Sequence, residues 1–331
     1  MKKKLLPVTH PILDSYSKVG HILSIIQSHP QTEAWLYCNF IQLVYKHYAL
    51  VKYDTVNWYC PWIHDQKLSR NLVGRACGGH IDHFLKDCID MGYYIRLDMD
   101  HYHLGVSDHY MKKSRVHDIF VYGYDLEINV FYVADNFKGG IYSSEKISTD
   151  QIRSGFERYV SKHRPDYDDI KLMSFNEHAD YRFDKDFVVG VLKDYVESSS
   201  TTRLRSIANE PPDGTAYGLG VYDCLNTYYS SLLGGDARID VRGAHAIHKH
   251  KVLMLKRLEY MSTGNILQAD ENLFERFAAV ERLCELHKNI LLKYEITGKI
   301  RLLYEVMELV KEISGTERAA MEQLITALSK E

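Results

Sequence analysis

The spacing of apolar residues changes character part-way along the chain. Up to about residue 196, helical and strand-like patterns alternate; beyond about residue 217 almost everything reads as helix. Apolar positions recur at helical spacing over Asp14 to Gln27 and again over the longer stretch Gln31 to Leu50. Ile81 to Met91 predicts a helix stopped at Gly92, with a strand following over Tyr93 to Asp98. Two strand-like runs flank Leu126, His117 to Tyr124 and Ile128 to Asp135. A short strand near Gly140 to Ser143 comes next, then a helix capped by Ser148 or Thr149 and running to about Ser161. A strand over Asp169 to Phe175 and a helix over Asp184 to Glu197 complete this part.

The polar run Ser198-Ser199-Ser200-Thr201-Thr202 and the later Asn209-Glu210-Pro211-Pro212-Asp213-Gly214 mark a boundary or an exposed loop. The expected organisation is therefore a domain over 1–197, a linker over 198–216 and a helical domain over 217–331. In the last part Leu273, Phe277, Val280, Cys284, Leu291 and Tyr294 form one stripe on one helical face, an arrangement that also fits packing across the two-fold axis of a homodimer. Ile300 to Ile313 predicts another helix. Ser314-Gly315-Thr316-Glu317 then predicts a fresh start, with Ser314 and Glu317 at the spacing of a capping box. The fold class expected from these patterns is α+β.

Composition narrows the function classes. With 45% hydrophobic and 26% charged residues and a formal charge of −3, the chain lacks the basic excess of a nucleic-acid binder. Its 25 tyrosines are many for this length, and packing within a sheet is the plain use for them. Six cysteines (38, 60, 77, 88, 224 and 284) are scattered without a Cys-x-x-Cys pair, which speaks against a disulfide framework or a structural zinc site and for a reducing compartment. No run approaches the roughly 20 apolar residues of a membrane span, and Met1 to Pro7 lacks the apolar stretch of a signal peptide. The expected location is cytoplasmic.

The candidate chemistry is a Cys, a His and an Asp in one order. Cys38 opens an apolar helix-like run written from Trp35 to Tyr45, His117 opens one strand-like run and Asp135 closes the next. A thiol is the better nucleophile as thiolate, and a helix N-terminus with a neighbouring imidazole favours that form. A carboxylate beyond the imidazole fixes its tautomer. If the two strands form a hairpin centred on Leu126, His117 stands directly opposite Asp135; a slip of one residue brings Asn136 there instead, so Asn136 is the reserve orienter. Charge developing on the attacked carbonyl needs a donor, for which the Cys38 amide and Gln31 are candidates. Cys60 competes with Cys38, but Pro61 after it favours extended chain. Lys112, Lys113 and Arg115, just before His117, are placed to receive a phosphate or an acidic partner surface at the rim of such a site. His101, His103 and His109 gather with Asp98, Asp100 and Asp108, yet no second pair with firm ligand spacing follows, so no metal is expected. His245, His248 and His250 lie in a basic helix start and read as a solvated or substrate-side patch.

The spacing from Gln31 to Cys38, the run His117-Asp118-Ile119-Phe120-Val121-Tyr122-Gly123-Tyr124-Asp125, and Val133-Ala134-Asp135 with Gly139-Gly140 behind it together resemble the papain-like C39 peptidases. The likeness is closer to the butirosin-biosynthesis H-type proteins, and covers about residues 10 to 165. Members with this architecture include amide synthetases of polythioamide (closthioamide-type) antibiotic assembly. The resemblance implies a papain-like fold, with a Cys-bearing helix packed on an antiparallel sheet and a helical C-terminal region. It implies a triad of Cys38, His117 and Asp135 that takes an acyl group from a carrier-protein thioester and passes it to an amine. Implied partners are an acyl or peptidyl carrier protein and the amine acceptor. No cofactor of the enzyme's own is implied, the substrate arriving on the carrier's phosphopantetheine. Asn39 stands where C39 peptidases commonly have glycine after the cysteine, which weakens the peptidase reading. The alternatives are a C39-like peptidase using water, or a non-catalytic binding protein on the same fold.

Overall fold

The strand-forming runs on either side of Leu126 become adjacent strands, and a large antiparallel sheet grows outward from them. The computed structural model describes residues 2–46, 50–54, 60–157, 169–201, 214–268 and 271–330. In chain order the elements begin β1 (Lys3–Leu5), α1 (Ser17–Ile26), α2 (Glu33–Cys38), β2 (Leu43–Lys46), β3 (Leu50–Tyr53), β4 (Ile63–Ser69), α3 (Arg70–Ala76), α4 (Ile81–Asp90) and β5 (Tyr94–Asp100). They continue β6 (Val116–Asp125), β7 (Val130–Lys138), β8 (Ile141–Ser148), α5 (Thr149–Glu157), β9 (Asp169–Phe175) and α6 (Lys185–Val196). The last are β10 (Ala216–Tyr217), α7 (Val221–Gly234), α8 (Arg242–Thr263), α9 (Glu271–Thr297) and α10 (Arg301–Leu328). Contacts divide the chain into a first unit, Met1–Thr32 with Tyr59–Tyr181, and a second, Glu33–Trp58 with Arg182–Glu331.

The first unit holds a seven-stranded sheet in the order β4-β9-β5-β6-β7-β8, every pairing antiparallel, with β1 added to β6. Strand alternation sends Leu97, Ile119, Val121 and Val133 to one face, where they pack on Ile81, Leu85 and Ile89 of α4 and Ile152 of α5. Tyr94, Phe120, Tyr132 and Ala134 go to the other, against Ile22 and Ile25 of α1. Strand β5 follows β6 only as far as Val121, and β1 takes up the vacated edge, pairing Lys4 with Tyr124 and Leu5 with Gly123. The register of β6 shifts between Val121 and Gly123. A Cβ on Gly123 would stand 2.8 Å from the Lys4 carbonyl oxygen, so β1 passes where only glycine leaves room.

The second unit has a three-stranded sheet, β10-β2-β3, and packs α8 on α9 and α9 on α10. Its mostly apolar interior encloses a polar cluster. Lys251 of α8 and Glu317 of α10 form a fully buried ion pair, and Tyr195 and Tyr222 donate to the two oxygens of the same carboxylate. A buried pair of this kind costs desolvation, which the added hydrogen bonds offset.

Three expectations are corrected. Residues 31–50 do not make one helix: α2 ends at Cys38, Phe40 takes a left-handed conformation (φ 56°), and β2 follows. Asn39 donates to the Trp35 carbonyl, Arg257 binds the Tyr37 and Asn39 carbonyls, and His250 bonds the Ile41 carbonyl, so partners distant in sequence satisfy the end of the helix. Nor does a new helix start at Ser314. Helix α10 runs through it, because the carboxylate of Glu317 serves the buried network rather than a cap. Finally, contacts do not divide at 197. Residues 33–58 and 182–197 belong with the helical unit, since β2 pairs with β10 and α6 packs on α10. Of the expected linker, residues 202–213 lie outside the described residues, as do 158–161 at the end of the helix expected to reach Ser161.

Gly218, at φ 51°, has room for no side chain: a Cβ would fall 2.0 Å from the Tyr195 carbonyl oxygen. Gly218→Ala is expected to cost about 3 kcal/mol or more, from left-handed strain plus overpacking. Urea unfolding measures it, and a loss below about 0.5 kcal/mol counts against this packing.

Candidate active site

His117 is the second residue of β6, opposite Met99 of β5, where the sheet reaches its end. Its Nδ1 lies 2.8 Å from Asp135 Oδ2 on β7. The contact arises from a register other than the expected one. The connection between the strands spans Leu126 to Asn129, with Asn129 left-handed at φ 52°, so Asp125 pairs with Val130 rather than with Glu127. The ladder continues to Phe120 opposite Ala134, which carries Asp135 to the level of Ile119. His117 and Asp135 therefore meet diagonally, two positions out of register, on one face of the sheet.

A chain of polar groups surrounds this contact, all of it from the first unit. His101 Nε2 stands 3.5 Å from Asp135 Oδ2, and its Nδ1 lies 3.2 Å from Ser107 Oγ. On the α1 side, Asp118 accepts from Ser17 Oγ at 3.1 Å and faces His21 Nε2 at 3.3 Å. His21 stacks on Phe120 and reaches the Tyr142 hydroxyl through Nδ1. Asp118 Oδ1 also lies 3.6 Å from His117 Nδ1. Asp135 and His101 are shut from solvent, whereas 30% of the His117 side chain is exposed. His117 is where this chain meets solvent.

Burial works against a charged His117, but the hydrogen bond and charge of Asp135, helped by Asp118, outweigh it and push the imidazole up to about 9. The Asp135 carboxyl is left above its ordinary value because burial outweighs the pull of His117. Asp118 lies well below the usual carboxylate range: burial alone would raise it, but the bond and charge of His21 and the charge of His117 prevail. His101 is pushed down to about 3 by burial first and by the neighbouring His117 next, so it stays neutral.

The other expected site residues lie elsewhere. Cys38 belongs to the second unit, is 0% exposed, and closes α2 instead of opening a helix; its Sγ accepts the Asp184 amide at 3.2 Å. A helix C-terminus carries the negative end of the dipole, the wrong end to favour a thiolate. Gln31 is exposed in the short 3-10 turn Pro30–Thr32. Asn136 does not orient His117: its amide donates to the Asp14 and Gly140 carbonyls, tying the chain before α1 to β7. Lys112 and Lys113 are exposed on the loop between β5 and β6. Arg115 on the same loop meets His109 Nε2 at 2.9 Å. Asp100 pins that loop by accepting from the amides of Tyr102 and Arg115 and from Ser114 Oγ. Sequence reasoning missed Ser17, His21, Asp118 and Tyr142 as members of the polar chain. The available signal was Ser17, His21 and Ser24, spaced four and three residues apart on one face of a mostly apolar helix.

No protein-family model matches the chain, and no curated protein matches it.

The His117–Asp135 contact has a pH signature. Below about pH 6.5 both folded and unfolded chains carry the imidazole proton and the contact contributes in full; from there to about pH 9 only the folded chain keeps it, and the contribution fades. Denaturant unfolding should show stability falling across that interval, and Asp135→Asn should flatten the fall while costing about 2 kcal/mol at neutral pH. Parallel pH curves for the two proteins would exclude this assignment.

Proposed function

We propose that the protein transfers an acyl group from a thioester to an amine, with His117 as the general base. The observation that carries this reading is the 2.8 Å contact between a partly exposed imidazole and a fully buried carboxylate. Asp135 occupies Nδ1 and fixes the tautomer, leaving Nε2 for the substrate. The amine nitrogen attacks the thioester carbonyl while Nε2 takes its proton; the C–N bond forms, the C–S bond breaks, and the departing sulfur recovers that proton. A thioester is already activated, so this route needs no enzyme nucleophile, which suits a chain whose Cys38 is buried at a helix C-terminus.

The proposed construction is papain-like only in its antiparallel sheet, whose neighbouring strands bear the His and the Asp; the helix expected to pack on that sheet, the Cys38-bearing α2, belongs to the second unit. The proposed donor is an acyl group on the phosphopantetheine of a carrier protein. The exposed run Lys112, Lys113 and Arg115 supports this, as it offers positive charge to a phosphate or an acidic surface.

Pantetheine thioesters offered with simple amines test the proposal. His117→Ala should lower the transfer rate by about 100-fold or more, and Cys38→Ala should leave it standing. With the imidazole near 9, the rate at a fixed concentration of unprotonated amine should climb about tenfold per pH unit through neutrality and level off near pH 9. Intact-mass analysis showing an acyl adduct on Cys38 or on any other residue, or full activity in His117→Ala, would overturn the direct route.

A further inference from the structure

We infer that His101, His117 and Asp135 form a binding site for a single divalent transition-metal ion, with zinc the best match. One donor atom from each of the three residues, a ring nitrogen of His101, a ring nitrogen of His117 and a carboxylate oxygen of Asp135, lies within 4.8 Å of the other two. Two of the separations are 2.8 and 3.5 Å. Ligand bonds of about 2.0–2.1 Å at angles between octahedral and tetrahedral put donor atoms about 2.9–3.4 Å apart, so these atoms already stand near the spacing an ion imposes. Two imidazoles and one carboxylate on one side of an ion form a common set for zinc and iron, and leave further positions open.

A second observation points the same way. His101 is 3% exposed, its Nε2 has no hydrogen-bond partner, and that atom stands 3.5 Å from Asp135 Oδ2, too long for a hydrogen bond. Asp135 Oδ1, fully buried, has no partner either. Unmet buried polar atoms are costly, and here two belong to groups facing each other. With Nδ1 of His101 donating to Ser107 Oγ, Nε2 presents a lone pair toward a carboxylate oxygen. A cation between them turns that repulsion into attraction. Ser107, in turn held by the His109 amide, then serves as the outer partner that orients a metal-bound imidazole. The sequence offered only His101-x-His103, and the structure replaces His103 with residues from two later strands.

The ion takes the atoms that otherwise join His117 to Asp135, so metal and general base exclude each other, and zinc should inhibit the transfer proposed above. The binding claim does not rest on that reading, since it is tested without thioester or amine. Chelator-treated full-length protein is titrated with cobalt(II), following its visible absorption, and then with zinc. The expected result is one equivalent of cobalt with ligand-field bands, displaced by one equivalent of zinc. Affinity should fall at least tenfold in His101→Gln and in His117→Gln, and remain unchanged in His103→Ala. His117 is partly exposed, so its variant keeps the test usable if replacing the buried His101 prevents folding. No saturable binding, equal affinity in His117→Gln, or loss of binding in a His248→Ala variant of the separate cluster His248, Glu281 and Glu285 would overturn the assignment.

Discussion

The site depends on one buried carboxylate. Asp135 sits at 0% exposure within β7, three residues before its end, where a lone negative charge would be untenable without a cation or proton beside it. His117 supplies that partner from the neighbouring strand, His101 closes the other side, and the rest of the polar chain continues through Asp118 to α1. The same burial that makes Asp135 costly makes its hold on His117 strong, because little water competes for the imidazole. Position on the sheet follows from core packing: Ile119, Val121 and Val133 fix which face the two residues share.

Part of this was legible in the chain. Strands over 116–125 and 130–138 announce themselves through aromatic and β-branched residues, and the pairing of His117 with Asp135 could be anticipated from the hairpin they imply. The register could not, because it turns on Asn129 adopting a left-handed conformation and on a shift near Gly123, where β1 crosses from the far end of the sequence. The longer loop shifts the pairing by three positions, the irregularity between Val121 and Gly123 takes one back, and a diagonal contact spans the remaining two.

The stretch from Gln31 to Leu50 misled for a different reason. Its apolar residues suit either a helix or a buried strand, and what decides is tertiary. Arg257 and His250 capture carbonyls at and just beyond the end of α2, and β3 and β10 flank β2. Cys38 is thereby part of the interior of the second unit. Glu317 shows the same override. Its spacing from Ser314 suggested a cap, whereas Lys251, Tyr195 and Tyr222 claim its carboxylate from distant parts of the chain. Local pattern marks which segments are apolar; only partners far away in sequence decide how a polar group among them is used.

The central claim concerns one proton on one imidazole, and it can be read directly. Heteronuclear NMR titration of the histidine rings in chelator-treated protein should show His117 losing its proton near pH 9, and Asp135→Asn should bring that midpoint back toward the ordinary value of 6.5. A midpoint near 6.5 in both proteins would mean that Asp135 does not govern His117, and the account of this site would fail with it.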